Sequence, residues 1–222
     1  HLKYYFIYCN IVGAQDELVF DGRSFIMDPH GNIEVMGKLF TEDMVDFDTE
    51  NSSHKKPEAV KIDESEELFK ALSLGVKDYF QKSGFSKAVV GLSGGIDSSL
   101  TTVIAVNAIG KENVIGISMP SSFSSEHSRT DAMELAKNLE IKFETIPIHN
   151  VFNELLREMD CFFDETDSGL AEENLQARIR GNILMSIANK VNALVLNTGN
   201  KTELALGYCT MYGDMCGALG VI

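Results

Sequence analysis

The residues best placed by type and spacing to do chemistry are Gly91-Leu92-Ser93-Gly94-Gly95-Ile96-Asp97-Ser98-Ser99. Two adjacent glycines let the backbone approach an anion that a Cβ would hold off. The segment runs from an apolar, strand-like stretch into a helix-forming one, so free N–H groups and a positive dipole end face the same point. Gly91, Leu92, Ser93, Gly94, Gly95, Ile96, Asp97 and Ser98 therefore read as a cradle for a pyrophosphate, with the hydroxyls of Ser93, Ser98 and Ser99 as further donors. Asp97 could hold magnesium against those phosphates. The plain alternative is a strand–turn–helix junction with a Ser or Asp cap. Glycines, hydroxyls and a carboxylate coincide here, which favours the cradle. It is not a Walker A loop, because no Lys follows the glycines and no G-x-x-x-x-G-K occurs.

Such a loop needs a strand before it and a helix after it. Lys87–Leu92 reads as a buried strand and 98–109 as a helix. Strands at Val114–Ser118, Ile141–Ile148 and Ala193–Leu196 then alternate with helices over 125–139, 151–159 and 171–190. This alternation predicts a parallel sheet covered on both faces, with ligands at the carboxyl ends of its strands. A helix over 65–83 should bury Leu68, Phe69, Leu72, Leu74, Val76, Tyr79 and Phe80. Met133, Leu135, Ala136 and Leu139 read as a second packing stripe. Upstream, 4–12, 18–27 and 32–36 read as strands, with a turn at Asp28-Pro29-His30-Gly31.

Hydrophobic residues make up 44% of the 222, enough for a sizeable core, and the net charge of -14 argues against a broad grip on nucleic acid or anionic membrane. Residues 41–67 hold ten acidic residues against three lysines, and 41–64 reads as an acidic, solvated linker. The cysteines (Cys9, Cys161, Cys209, Cys216) show no metal-binding spacing, so a disulfide framework or zinc site is not expected and a reducing cytoplasm is. No run of about 18 apolar residues suggests a membrane span. Both ends read as cut, with no initiator Met and an apolar finish at Val221-Ile222.

The loop Ser93-Gly94-Gly95-x-Asp97-Ser98 resembles that of the ATP pyrophosphatases. Three later segments narrow the resemblance: Glu173-Asn174-Leu175-Gln176-Ala177-Arg178-Ile179-Arg180-Gly181, Thr198-Gly199-Asn200-Lys201-Thr202-Glu203, and Gly207-Tyr208-Cys209-Thr210-Met211-Tyr212-Gly213-Asp214. In this order they are similar to the NAD synthetases, and Met119–Ala132 resembles the glutamine-dependent branch. The resemblance implies a doubly wound, Rossmann-like α/β domain of the adenine nucleotide alpha hydrolase type over 65–222, incomplete at its carboxyl end. It implies ATP and Mg2+, with Asp97 and Glu203 on the metal and Thr198 on ATP. Asn174, Arg178, Glu203, Tyr208, Met211 and Asp214 would line a deamido-NAD site. The implied reaction is ATP-dependent amidation of deamido-NAD to NAD through an acyl-adenylate, with the ammonia supplied by hydrolysis of glutamine in the intact enzyme. A homo-oligomer and a cytoplasmic location are likewise expected.

Each of these residues also has a plainer reading. Glu203 could be a first-turn helix acid favoured by the dipole. Asp214 after Gly213 could be turn chemistry, and Tyr208 and Met211 could be ordinary core. Arg178 and Glu173, five apart, do not share a helix face and should not pair.

Residues 1–40 resemble the end of a nitrilase-type glutaminase domain, whose Glu-Lys-Cys catalytic set does not occur in this segment. Cys9 lacks any matching motif and is not expected to be a nucleophile. Rival readings are another ATP pyrophosphatase, such as a GMP synthetase or an RNA-thiolating enzyme, and a catalytically silent nucleotide-binding fragment.

Overall fold

The computed structural model of the chain describes residues 3–50, 63–122, 124–163 and 169–222. It divides into two compact units, His1–Tyr79 and Phe80–Ile222. Residues 51–62 of the expected acidic linker lie outside the described residues.

In the first unit β1 (Phe6–Tyr8), β4 (Phe25–Met27) and β5 (Ile33–Met36) form an antiparallel sheet in the order β1-β4-β5. Strands β2 (Val12–Gln15) and β3 (Leu18–Asp21) form a separate antiparallel pair. Two runs expected as single strands are therefore broken. Over 4–12 the cause is Asn10, whose Oδ1 accepts the Ile11 N–H at 3.0 Å and whose Nδ2 donates to Asp21 at 3.0 Å, in competition with a ladder. Over 18–27 it is Gly22-Arg23, where φ turns to 77° and 48°. The turn after β4 closes on Asp28, whose carboxylate accepts from Asn32 Nδ2 and from the backbone of His30 and Asn32. These bonds, the Asn32 side chain first, hold its carboxyl down to about 2.

Helix α1 (Glu64–Ser83) joins this unit through the Ala14 N–H, which donates to Asp78 at 2.7 Å, and through Arg23, which pairs with Glu67 at 2.9 Å. Its buried stripe runs through Ser73, Val76 and Phe80. Leu68 and Tyr79, expected on that stripe, are exposed because they lie about 100° to its side.

The second unit is an alternating α/β domain. Its elements are β6 (Ala88–Gly91), α2 (Ile96–Ile109), a 3₁₀ turn (Lys111–Asn113), β7 (Val114–Ser118), α3 (Glu126–Asn138), β8 (Lys142–Thr145), α4 (His149–Glu158), α5 (Asp160–Phe163), α6 (Leu170–Val191), β9 (Leu194–Asn197), α7 (Lys201–Leu206) and β10 (Leu219–Gly220). The strands form one parallel sheet in the order β10-β9-β6-β7-β8. The doubly wound sheet expected from the alternation is present. Chain direction across the sheet reverses at β6, which pairs with β7 on one side and β9 on the other.

Val89, Ile117 and Val195 of the sheet pack with Ile148 and Phe152 of the α4 segment and with Ile179 and Ala188 of α6. Helices α2 and α3 cover the strands with Ile104, Ala105, Ala132 and Ala136, all buried. Met133, expected in the α3 stripe, is exposed, and Ala132 takes its place facing the sheet. Helices α5 and α7 and strand β10 were not expected from periodicity, being too short to show one. Among the described residues no helix is long and apolar enough to cross a membrane.

Ile104 is fully buried under the strands that carry the loop. Ile104→Ala should cost the domain about 3 kcal/mol, read as a shifted denaturant midpoint at unchanged slope, whereas Met133→Ala should stay within about 0.5 kcal/mol.

Candidate nucleotide site at the carboxyl ends of the sheet

β6 delivers the glycine loop. The Leu92 N–H donates to the Ile117 carbonyl at 2.8 Å, extending the β6–β7 pairing one residue past the strand. The chain then turns through Gly94 at φ 85° and enters α2 at Gly95. Gly94 is required on two counts, since a Cβ there would lie 2.3 Å from the Ser128 carbonyl oxygen at the start of α3. The three hydroxyls brace the turn from within. Ser93 Oγ accepts the Gly95 N–H at 3.1 Å and lies 3.0 Å from Ser98 Oγ, while Ser98 and Ser99 both donate to the Gly95 carbonyl at 3.0 and 2.8 Å.

Gly95 supplies no side-chain cap to α2. The backbone N–H groups of Ile96, Asp97 and Ser98 consequently stay open at the positive end of a 14-residue helix. Asp97, half-buried in the first turn, has no hydrogen-bond or ion-pair partner among the described residues.

β9 delivers the second wall. Asn197 Oδ1 accepts the Gly199 N–H at 2.7 Å, and its Nδ2 donates to the Asp214 carbonyl at 2.6 Å, pinning the 207–217 segment to the strand end. Thr198 follows it into the cavity. α7 begins in a capping box, with the Glu203 N–H donating to Asn200 Oδ1 and the Asn200 N–H to Glu203 Oε2, each at 3.0 Å. One carboxylate oxygen of Glu203 is thus committed to the helix start.

α6 holds the 207–217 segment from the other side. Thr210 Oγ1 donates to Asn174 Oδ1 at 2.6 Å, and Arg178 Nε donates to the Met211 carbonyl at 3.2 Å. Asp214 Oδ1 accepts the Thr210 N–H at 2.6 Å. A Cβ on Gly181 would stand 2.9 Å from the Gly213 carbonyl, so the helix and the segment meet backbone to backbone. Tyr208 and Met211 are exposed and are not core. Arg178 and Glu173 do not pair, and Cys9, just past β1, is an exposed free thiol.

Between these walls lies a cavity of about 430 Å³, within the usual range for a small-molecule site. Of the residues singled out by sequence, Gly91, Leu92, Ser93, Thr198 and Asp214 line it. Gly94 to Ser98 lead away from it into α2, and Asn174 and Arg178 fix its 207–217 wall. Glu203, Tyr208 and Met211 stand outside the lining. Sequence reasoning missed Met119 and Pro120 past β7, Asn197, Arg129 and Arg180. A signal for Arg180 existed, since Ala177, Gly181 and Leu184 form one helical stripe and an arginine falls within it.

No group of three or more His, Cys, Asp or Glu capable of holding a metal ion occurs among the described residues. A hydrated magnesium needs only one or two carboxylates beside phosphates, and no all-protein cage. Asp97, unpartnered beside the open N–H groups, fits such an ion, and Glu203 retains its second oxygen.

A glutamine-dependent NAD(+) synthetase of Synechocystis sp. is 52% identical over 220 residues, covering 97% of this chain and 39% of the relative. The solved glutamine-dependent NAD+ synthetase of Acinetobacter baumannii, in complex with adenosine diphosphate, superposes with a TM-score of 0.92 at 42% identity over 98% of this chain and 42% of that one. The NH3-dependent NAD synthetase of Campylobacter jejuni gives a TM-score of 0.64 at 32% identity over 70% of this chain and 65% of that one. The chain therefore spans about two fifths of the length of the curated relatives it matches. With residues 68–222 matching the family described as NAD synthase, loop and strand-end cavity included, this chain belongs to the NAD synthase family.

Proposed function

We propose that the second unit binds ATP with its phosphates on Gly91–Ser98 and activates the carboxylate of deamido-NAD for attack by ammonia. The observation that carries this reading is the meeting at the strand ends of an uncapped glycine loop after β6 with Thr198 after β9 and a 430 Å³ cavity, on a chain aligned along nearly its whole length with an enzyme solved with ADP. In this reaction a nicotinate carboxylate oxygen attacks the α-phosphorus, the bond to pyrophosphate breaks, and an acyl-adenylate forms. Ammonia then attacks the acyl carbon, AMP leaves, and a proton is released. The residues' part is to bind and orient. The open N–H groups of α2 hold phosphate oxygens, Thr198 meets the nucleotide, and Asn174, Arg178 and Asp214 shape the wall against which deamido-NAD lies. Magnesium on Asp97 and the remaining oxygen of Glu203 would offset charge on the departing pyrophosphate.

Given ATP, magnesium and deamido-NAD, these 222 residues should form NAD and AMP with ammonium and not with glutamine, read by chromatography of the nucleotides, with the intact parent assayed alongside. NAD from glutamine would place a glutaminase among these residues. Nucleotide binding without AMP release would favour a silent binding module.

Gly94→Ala should weaken ADP binding about tenfold or more by calorimetry, since φ and the Ser128 carbonyl both oppose a Cβ. Asp97→Asn should leave magnesium-free ADP binding nearly unchanged and remove most of the gain in affinity that magnesium brings. An unchanged magnesium dependence would exclude Asp97 from the metal.

A further inference from the structure

A buried cation without a counter-charge is costly unless something outside the fold supplies one. Arg180, half-buried, approaches that position. Its Nε donates to the Met119 carbonyl at 3.1 Å, just past β7, and its side chain lines the cavity. Among the described residues no carboxylate lies within ion-pair distance of it, and its terminal nitrogens have no acceptor. Burial pushes its guanidinium below the ordinary arginine value, although an arginine still keeps its proton.

A second cation reinforces the first. Arg129, on α3, lines the same cavity and donates from Nη2 to the Ser121 carbonyl at 3.2 Å. The two guanidiniums are thus clipped to one β7–α3 connection, reached from α6 by Arg180 and from α3 by Arg129. Among the described residues Asp214 is the sole carboxylate in the lining, and one of its oxygens already accepts the Thr210 N–H. In a chain of net charge -14 the described lining of this cavity carries two arginines against one carboxylate.

We propose that Arg180, seconded by Arg129, is a distinct anion-binding pole of the cavity that takes phosphoryl oxygens of the adenine nucleotide. This rests on the nucleotide reading above. The loop residues Gly91, Leu92 and Ser93 and the two arginines line one continuous volume, which a phosphate chain on the loop shares with them. The unused edge of the Arg180 guanidinium offers the paired donors that a phosphoryl group accepts. A protein that only needed a clip on Met119 would gain by a neutral donor there. The charge has a use only when an anion arrives.

The test is calorimetric titration of the full chain with adenosine, AMP and ADP, together with melting temperatures without ligand. Arg180→Met should weaken AMP and ADP by about tenfold or more and adenosine by less than about twofold, because only phosphate loses a charge-assisted partner. The ligand-free melting temperature should hold or rise, since an uncompensated cation has been removed. Arg180→Lys should recover part of the AMP affinity, and exposed Arg129→Met should cause a smaller loss with a shallower salt dependence. Equal weakening of adenosine, AMP and ADP with a lowered melting temperature would make Arg180 a structural clip and overturn the proposal. Unchanged AMP and ADP binding would overturn it as well, leaving the arginines to a carboxylate of the second substrate. If the unsubstituted chain bound no adenine nucleotide, the nucleotide reading itself would fall.

Discussion

Everything at the site depends on the parallel pairing of β6 with β7 on one side and β9 on the other. Val90 stands opposite Gly116 and Leu196 at once, so the three strands end at the same level of the sheet. The connections that leave those ends diverge, because the chain passes over one face after β6 and over the other before β9. A crevice must open where they part. The glycine loop, the Met119–Ser121 stretch and Asn197–Thr198 are the three carboxyl-end segments of these strands, and the cavity is the gap between them. Changing the register of β6 by one residue would move Gly91 and Ser93 off that rim and exchange the faces of Val89 and Val90, both fully buried.

A second constraint is close backbone approach. Gly94 against Ser128 and Gly181 against Gly213 are contacts with no room for a Cβ. Each draws an irregular segment onto a helix, bringing N–H and carbonyl groups to the cavity's edge instead of side chains. Hydrogen bonds from Asn197, Asn174 and Arg178 then fix the 207–217 segment, which has no regular structure before β10 to hold it. The acidic balance of the chain works against phosphate at long range. Screening over about 8–10 Å at ordinary salt leaves the decision to local donors, namely the uncapped α2 and the two arginines.

How far this was legible in the sequence varied with the length of the pattern. The β6–α2 junction, the parallel alternation and the long α6 stand out because 3.6-residue periodicity and buried apolar runs persist over many residues. The first unit was less legible, because its breaks are made by single side chains and single φ values, at Asn10 and at Gly22-Arg23, and both lie within stretches of good strand formers. On α1 and α3 composition suggested the stripe, but burial selected Ser73 over Leu68 and Ala132 over Met133. Close packing rewards the residue that faces inward, whatever its hydrophobicity. Arg180 was hidden for the opposite reason, since an arginine is ordinarily read as solvent-facing and only its angular position on α6 places it inside.

The residues that resemblance assigns to the second substrate carry a structural load in this fold. Asn174 gives its carbonyl to Thr210, Arg178 its Nε to Met211, and Asp214 an oxygen to Thr210. What remains for a ligand is the Asn174 amide, the terminal nitrogens of Arg178 and one oxygen of Asp214. The same atoms that would recognise deamido-NAD are therefore oriented by the loop they hold, so recognition and wall geometry are coupled. Removing Asn174 or Arg178 would loosen the wall as well as delete a donor, and its effect on binding would exceed that of the one hydrogen bond lost. Arg180 differs in kind. Its single clip is to the strand-end connection rather than to the 207–217 wall, and its charge has no ion-pair partner among the described residues. For that reason the two arginines two positions apart on one helix have divided tasks, Arg178 setting the wall and Arg180 meeting what enters.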